Sequence, residues 1–395
     1  MVQMRIAIVG GRLQGIEAVY LCSKAAFETV LIDADSNPPA KALSDVFHQI
    51  DIVGQPEKAK RALRGCDAAL PADENHMVLL VLARLCKQLQ IPFMQDNKAF
   101  WLTSDKTKSM RFFRKTGIPT PEDWPDSGFP VIVKPSNRSG SESVYRADNE
   151  CQLKNALKIV RLVDKNPVVQ EFVDGLALSL EVVSSRGVGQ PLQITGLEFD
   201  EGYGCKRVYA PVITPSKVQE RMNAIGMKIA STLRLNGLTD VQALLRRSTP
   251  IVNEINARLP SQTPSVVYHS TKINMAELLA RLFLEDRLFS GRINRQRAVL
   301  YQHVKVLGKE LRVQGEHIMA DASGLRVEKN FLGADEAITN LAPAADATNR
   351  VATLIVKSQD LASASKKMKE VVGNIMAEYH LNKYTDPSPG GGYHS

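Results

Sequence analysis

Asp240, Glu254, Asn256 and Arg258 are the residues of this chain whose types and spacing say most about chemistry. In the run NEINARLPSQTP, Asn253 to Pro264, an extended backbone sends Glu254, Asn256 and Arg258 to one face. Asp240 lies one hairpin earlier and can join them from the neighbouring strand. Two carboxylates and an amide oxygen make a hard oxygen site suited to Mg²⁺, which takes phosphate oxygens as further ligands. Arg258 beside that site would bear on developing negative charge. The plainer reading is a solvated strand face. Against it, Val252 and Ile255 belong to the other face, and four clustered polar groups exceed what a surface strand needs.

A second set of groups precedes these. Lys106 begins the basic stretch DKTKSMRFFRKTGIPTP, and Lys134 ends the apolar strand FPVIVKP. A lysine closing a buried strand is costly unless an anion meets it. The loop that follows, SNRSGS, includes Ser139, Gly140 and Ser141 and offers N–H and O–H donors that can fold over phosphates. An ordinary hairpin with an incidental lysine is the alternative. Further on, VVQEFVDG (Val168 to Gly175) is an apolar strand that stops in a glycine turn. Its backbone can read an adenine edge while Phe172 or Val173 contacts the ring.

The N-terminal GGRLQG, Gly10 to Gly15, precedes a helix, and Asp33 closes the next strand. The spacing departs from GxGxxG, yet the glycines still let backbone N–H groups face an anion at a helix N-terminus. Three readings stay open: a structural turn, a substrate carboxylate site, or a redox cofactor site.

The elements that must position these groups fall into three textures. Residues 1–100 alternate strand and helix: strands at Met4–Val9, Thr29–Ile32, Val46–Val53 and Asp67–Leu70, and helices from Gly15 to Ala26 and Asn75 to Gln90. That alternation gives a parallel sheet with helices on both faces. Ser104 to Thr116 reads as an amphipathic helix capped by Ser104 and ended by Gly117, opening a linker-and-lid region over 101–178 of short strands and one helix. From 179 to 384 come a further α+β region and the hairpin about Arg246–Pro250, and 385–395 has the composition of a disordered tail.

Composition excludes several functional classes. A chain of 395 residues suggests two or three domains, and 44% hydrophobic with 23% charged is the balance of a soluble globular protein. The longest apolar run, near Val78 to Cys86, is too short to cross a bilayer. MVQMRIAIVGG runs straight into a strand pattern with no secretory leader, so a cytoplasmic protein is expected. The five cysteines are scattered without a CxxC pair, against a disulfide framework or zinc site. The charge of +8 is dispersed and interleaved with acids. An anionic small substrate accounts for it better than nucleic acid.

Taken together, Lys106, Lys134 with its Ser/Gly loop, QEFVDG, and Asp240 with Glu254-Ile255-Asn256-Ala257-Arg258 resemble the ATP-grasp superfamily over about residues 1–290. The resemblance implies an N-terminal Rossmann-like sheet domain, a mobile lid and a C-terminal catalytic domain, with ATP between the last two. It implies that Lys106 and Lys134 hold phosphates, Glu171 and Val173 read adenine, and Asp240, Glu254 and Asn256 hold two Mg²⁺. Arg258 would then steady an acyl-phosphate transition state.

Within that superfamily, IAIVGGRLQGIEAVYL, LPADEN, SDKTKS, LSLEVV, CKRV, ARLPSQTPSVVYHSTKINM, GEHIMA and FLGADEAITN resemble the ligases of pyrrolysine biosynthesis. Those ligases join 3-methyl-D-ornithine to the side-chain amine of L-lysine. The likeness implies that Leu13, Gln14 and Glu74 face lysine. It also implies that Ser179, Glu181, Arg207, Arg258, Ser261, Gln262, Thr263, Glu316 and His317 face the ornithine. A second nucleotide pocket at Arg12, Asp33 and Asp51 is implied as well. The chain departs at His269, where the family is expected to carry tryptophan.

Overall fold

Alternating apolar strands and helices at the N-terminus close into a four-stranded parallel sheet. The computed structural model describes residues 3–138, 140, 143–291, 293, 296–341 and 350–389. The first elements are β1 (Arg5–Val9), α1 (Leu13–Lys24), β2 (Glu28–Asp33), β3 (Val46–Gln49), α2 (Pro56–Leu63), β4 (Ala68–Pro71) and α3 (His76–Leu89). The strands are ordered β3-β2-β1-β4, all parallel, as the alternation predicts. The third strand is shorter than the sequence suggests: it ends at Gln49, and Asp51 turns the chain by accepting from Val53 N at 3.0 Å. The turn after β1 needs glycine, since Gly10 has φ +104° and a Cβ there would stand 2.4 Å from the Ala72 carbonyl oxygen.

Two helices link this sheet to the next. The sequence reading missed α4 (Asn97–Thr103), and it gave the cap of α5 (Lys106–Thr116) to the wrong residue. Ser104 closes α4, and the Asp105 carboxylate caps α5 by accepting from Lys108 N at 3.1 Å. Gly117, at φ 66°, ends α5 as expected. A small antiparallel sheet follows, ordered β6-β5-β7, from β5 (Val131–Lys134), β6 (Tyr145–Ala147) and β7 (Val168–Glu171), with α6 (Glu150–Val160) packed on it.

The largest sheet has eleven strands among the described residues. It takes β8 (Leu176–Ser185), β9 (Val188–Phe199), β10 (Cys205–Ala210), then α7 (Ser216–Leu233) and the hairpin β11 (Gly237–Arg246) and β12 (Thr249–Asn256). After α8 (Thr263–Thr271) and α9 (Met275–Glu285) come β13 (Ala298–Leu307), β14 (Glu310–Val313), α10 (His317–Ala320), β15 (Arg326–Lys329), β16 (Glu336–Thr339), β17 (Arg350–Ser358), α11 (Leu361–Glu378) and β18 (Lys383–Thr385). The main path runs β12-β11-β8-β9-β10-β13-β17-β16-β15. One face packs on α7 through Leu178, Leu180 and Val182, and the other on α8 and α9 through Ala177, Leu197 and Val208.

The segment read as a tail from 385 is seated as far as 389. β18 pairs in parallel with β14, and beyond it Asp386 Oδ1 lies 2.5 Å from Lys206 Nζ. The buried Lys206 ammonium holds this segment through Asp386, Pro387 O and Ser388, partners too distant in sequence for composition to reveal. Residues 390–395 lie outside the described residues. No described helix is long and apolar enough to cross a membrane.

Candidate functional site

The hairpin β11–β12 places the acidic centre. Asp240 pairs with Asn256 and Gln242 with Glu254, but Ala243 pairs with Val252, so Asn253 is bulged out of register. The bulge resolves a difficulty in strict alternation, which would put Val252 on the same face as Glu254 and Asn256. With one residue inserted, Val252 and Ile255 both turn into the α7-side core.

Asp240 is 1% exposed. Its Oδ2 accepts from Gln242 Nε2 at 2.9 Å and Asn256 Nδ2 at 3.2 Å, whereas buried Oδ1 has no hydrogen-bond partner. Burial holds the Asp240 pKa above the usual carboxylate range, with Arg258 opposing. Glu254 shifts the other way. Burial pushes its pKa up, but Lys106, Lys134 and Arg258 together bring it below the ordinary value. An unpartnered buried carboxylate oxygen, an ionised glutamate and an amide side chain are oxygen donors that fit Mg²⁺.

The cations arrive from two other elements. Lys106 opens α5, and its Nζ lies 3.4 Å from Glu254 Oε1 and donates to the Arg138 carbonyl. Lys134, at the end of β5, is 5% exposed. Burial lowers its pKa to about 8, with Glu254 pulling up and Lys106 pushing down. The base of the following loop is fixed by Asp164, which accepts from Ser136 N at 2.6 Å and Ser136 Oγ at 2.7 Å. Gly140 adopts φ 65°, and Ser139 and Ser141 lie outside the described residues.

On the far side of this sheet, Glu171 is ion-paired with Arg246, Phe172 carries the Arg146 guanidinium 4.3 Å over its ring, and Val173 is buried. These three residues line up at the junction between the small sheet and β8.

The N-terminal residues join the centre through one oxygen. Leu13 and Gln14 open α1, and Glu74 Oε1 accepts from Gln14 Nε2 at 3.0 Å and from Arg258 Nε at 2.6 Å. Asp33 is committed elsewhere, accepting from Gly11 N at 2.6 Å and Asp35 N at 2.8 Å, so its carboxylate closes the glycine turn. Arg12 is the N-cap residue of α1 with no side-chain cap bond, and Asp51 accepts from Val53 N.

A third group lies on the α8 side of the large sheet. Ser179 Oγ donates to Glu181 Oε1 at 2.9 Å, and Glu181 pairs across the strands with Asp240. Glu181 and Glu316 are both buried, each with Oε2 unpartnered, and neither joins an ion pair among the described residues. Burial pushes Glu181 up to about 8 and Glu316 to about 7. Thr263 sits beside Glu181 and Gln262 beside Glu316. Gln262 has φ 74° and ψ −58°, and Thr263 N donates to Ser261 O at 2.9 Å. That is a positive-φ γ-turn, a strained conformation at the mouth of α8. His317 begins α10 directly after Glu316, whose N–H donates to Cys205 O at 3.1 Å.

Arg207 does not join this group. Cys205 pairs with Phe199 but Arg207 with Glu198, so β10 is irregular at Lys206. The slip turns Arg207 to the face opposite Ser179, where it meets Glu198, Gln302 Oε1 (2.6 Å from Nη2) and Asp386. Sequence alternation alone could not show this.

Glu17, Tyr20 and Glu336 are supporting residues that the sequence motifs leave without a role. Glu17, buried on α1, accepts from Ser265 N at 2.6 Å and so caps α8. A glutamate inside the apolar run IEAVYLC was the available signal. His269 is buried against Tyr20, its Nε2 2.6 Å from the tyrosine oxygen, and Tyr20 donates to Glu336 at 2.9 Å.

Comparison with known proteins places the chain in a family. The family described as the ATP-grasp domain matches residues 103–262. The 3-methyl-D-ornithine–L-lysine ligase of Methanosarcina barkeri is 33% identical over 299 residues, spanning 76% of this chain and 79% of the ligase. That of Methanosarcina acetivorans is 32% identical over 302 residues, with 76% and 79% coverage. Among solved structures, an L-amino acid ligase from Bacillus licheniformis shares the fold, with a TM-score of 0.69, 17% identity, and coverage of 94% of this chain and 98% of that one. The chain belongs to the ATP-grasp superfamily, in one family with these Methanosarcina ligases, and is an ATP-dependent ligase that forms C–N bonds.

Proposed function

We propose that the enzyme joins 3-methyl-D-ornithine, through its carboxylate, to the ε-amine of L-lysine, a step of pyrrolysine biosynthesis. The observation that carries the reading is the pair Glu181 and Glu316, two buried acids, each with one oxygen lacking a close partner and, among the described residues, no cation beside it. Burying such acids is unfavourable unless a positive group meets them. A diamino acid brings two ammonium groups, one for each. A substrate of the alanine type brings only one, which is why D-alanine–D-alanine ligases, 26% identical over 258 residues in one Synechococcus relative, are the weaker comparison.

In this reading the ornithine carboxylate attacks the γ-phosphorus of ATP, ADP departs, and an acyl phosphate forms. Lys106 and Lys134 neutralise charge on the transferring group, and Arg258 steadies the acyl phosphate. Asp240, Glu254 and Asn256 would hold Mg²⁺, which when bound offsets phosphate charge. Residues 171–173 flank the adenine, and the loop after Lys134 covers the phosphates. Lysine is anchored by its α-ammonium on Glu74 and its carboxylate at the start of α1, leaving the ε-amine to attack the acyl carbon. That attack forms the amide, expels phosphate and releases the amine proton.

The test is ATP turnover in the presence of lysine with D-ornithine, D-norvaline or D-alanine as the first substrate. D-Norvaline keeps the chain length of ornithine but lacks its terminal amine. A preference for D-ornithine over D-norvaline of about 10²-fold or more in kcat/KM is expected, as for a site whose buried polar groups would otherwise be left unpaired. Equal use of the two would remove the diamino-acid reading.

A further inference from the structure

Arg258 and Gln14 share a single oxygen of Glu74, at 2.6 Å and 3.0 Å. The sequence resemblance assigned Glu74 to the amine substrate and Arg258 to the acyl phosphate, as parts of separate subsites. The structure makes them one unit, and we propose that Glu74 is a positioning residue for Arg258 in acyl-phosphate formation, before any amine has bound. The inference rests on the ligase reading above and adds to it.

Arg258 on its own is not confined to one position. It follows β12, whose hydrogen-bonded register ends at Asn256, so its backbone is not held by the ladder. Its side chain is mostly buried, and Asp240 and Glu254 attract it as well as Glu74. Left to the first two, the guanidinium would settle on the acidic centre, where it would oppose a cation and lose its reach to a transferring phosphoryl group. A guanidinium is a planar fork with five donors. Fixing Nε–H on Glu74 sets the plane of the fork; Nη1 also makes a long contact with Leu259 O at 3.5 Å, and Nη2 is the group left for developing charge.

Glu74 is itself held. It stands between β4 and α3, next to Asn75, whose side chain caps α3 by accepting from Met77 N at 2.9 Å. Gln14 ties the same carboxylate to the start of α1. The N-terminal sheet thereby orients an arginine of the large sheet. Glu74 Oε2 remains available to an arriving ammonium, so one carboxylate can serve both half-reactions.

The two roles separate chemically. Glutamine at 74 keeps an acceptor oxygen for Arg258 Nε–H but loses the negative charge that an ammonium needs. Alanine loses both. The experiment compares wild type with Glu74→Ala and Glu74→Gln in two assays: lysine-free acyl-phosphate formation from ATP, Mg²⁺ and D-ornithine, trapped as the hydroxamate with hydroxylamine, and the KM for lysine in the complete reaction. Circular-dichroism melting checks that each variant is folded. Glu74→Ala should slow hydroxamate formation by roughly 30- to 100-fold at saturating ATP and D-ornithine, the scale of a misplaced catalytic group. Glu74→Gln should recover most of that rate, while both variants raise the lysine KM. Hydroxamate formation by Glu74→Ala within twofold of wild type would overturn the proposal, and so would an equal loss in Ala and Gln. An unchanged lysine KM with slowed hydroxamate formation would uphold the positioning role and remove the amine-site reading instead.

Discussion

Lys106 Nζ lies 3.4 Å from Glu254 Oε1, and buried Lys134 bears on the same carboxylate from the small sheet. Cations from α5 and from the end of β5 thus converge on an acid of the β11–β12 hairpin.

Glu254→Gln removes that charge while keeping the shape of the side chain. Turnover of ATP at saturating substrates should fall by about 10²-fold or more, because an oxygen donor to a divalent cation is weakened. The far-ultraviolet spectrum should stay that of wild type. A folded variant with near-normal turnover would remove Glu254 from the metal assignment.

If Lys134 holds phosphate as proposed, nucleotide binding is pH-dependent in a defined direction. Its pKa in the free chain lies at about 8, below the ordinary lysine value, because burial disfavours the charged form. Bound phosphates favour that form and raise the pKa again. ATP binding therefore takes up protons above about pH 8, and affinity falls as pH rises through that range, by up to about tenfold per unit for one proton. Titration calorimetry at pH 8.5 in buffers of different ionisation enthalpy should show uptake of up to about three-quarters of a proton, and Lys134→Arg should abolish it. Equal apparent enthalpies in all buffers for wild type would contradict the assignment.

Lys206 is 2% exposed, and the partners of its ammonium come from the C-terminal segment: Asp386 Oδ1 at 2.5 Å, Pro387 O at 2.6 Å and Ser388 Oγ at 3.1 Å. Asp386→Ala should destabilise the fold by about 3 kcal/mol, because it leaves a buried charge uncompensated. Adding Lys206→Met should recover most of that loss. Chemical denaturation of the two single variants and the double variant measures the coupling, and additive effects would show that the ion pair contributes nothing.

The sequence was most informative where function constrains several residues at once. Asp240 with Glu254, Asn256 and Arg258 was readable because four polar groups recur on one strand face and its neighbour. The parallel sheet of the first hundred residues was readable because its strand–helix alternation is regular. What escaped were departures from regularity. The bulge at Asn253 and the slip at Lys206 each insert one residue and reverse which face a side chain meets. At Val252 the bulge bears out its placement opposite Glu254, and at Arg207 the slip turns a residue expected to face substrate to the other side of the sheet. Pairings distant in sequence were equally hidden: Glu74 with Arg258 spans 184 positions and Lys206 with Asp386 spans 180, and neither leaves a periodic trace.

The central claim is that the enzyme makes an isopeptide from a D-configured ornithine and lysine, through Nε. Incubation with ATP, Mg²⁺, L-lysine and 3-methyl-D-ornithine, followed by tandem mass spectrometry, tests it directly, with Nα-acetyl-lysine and Nε-acetyl-lysine as alternative acceptors to locate the linkage. The expected result is one adduct of the two amino acids, formed with stoichiometric ADP and phosphate, whose fragments place the new amide on the lysine side chain. An adduct linked through the α-amine, or ATP consumed with D-ornithine and lysine but no adduct formed, would contradict it.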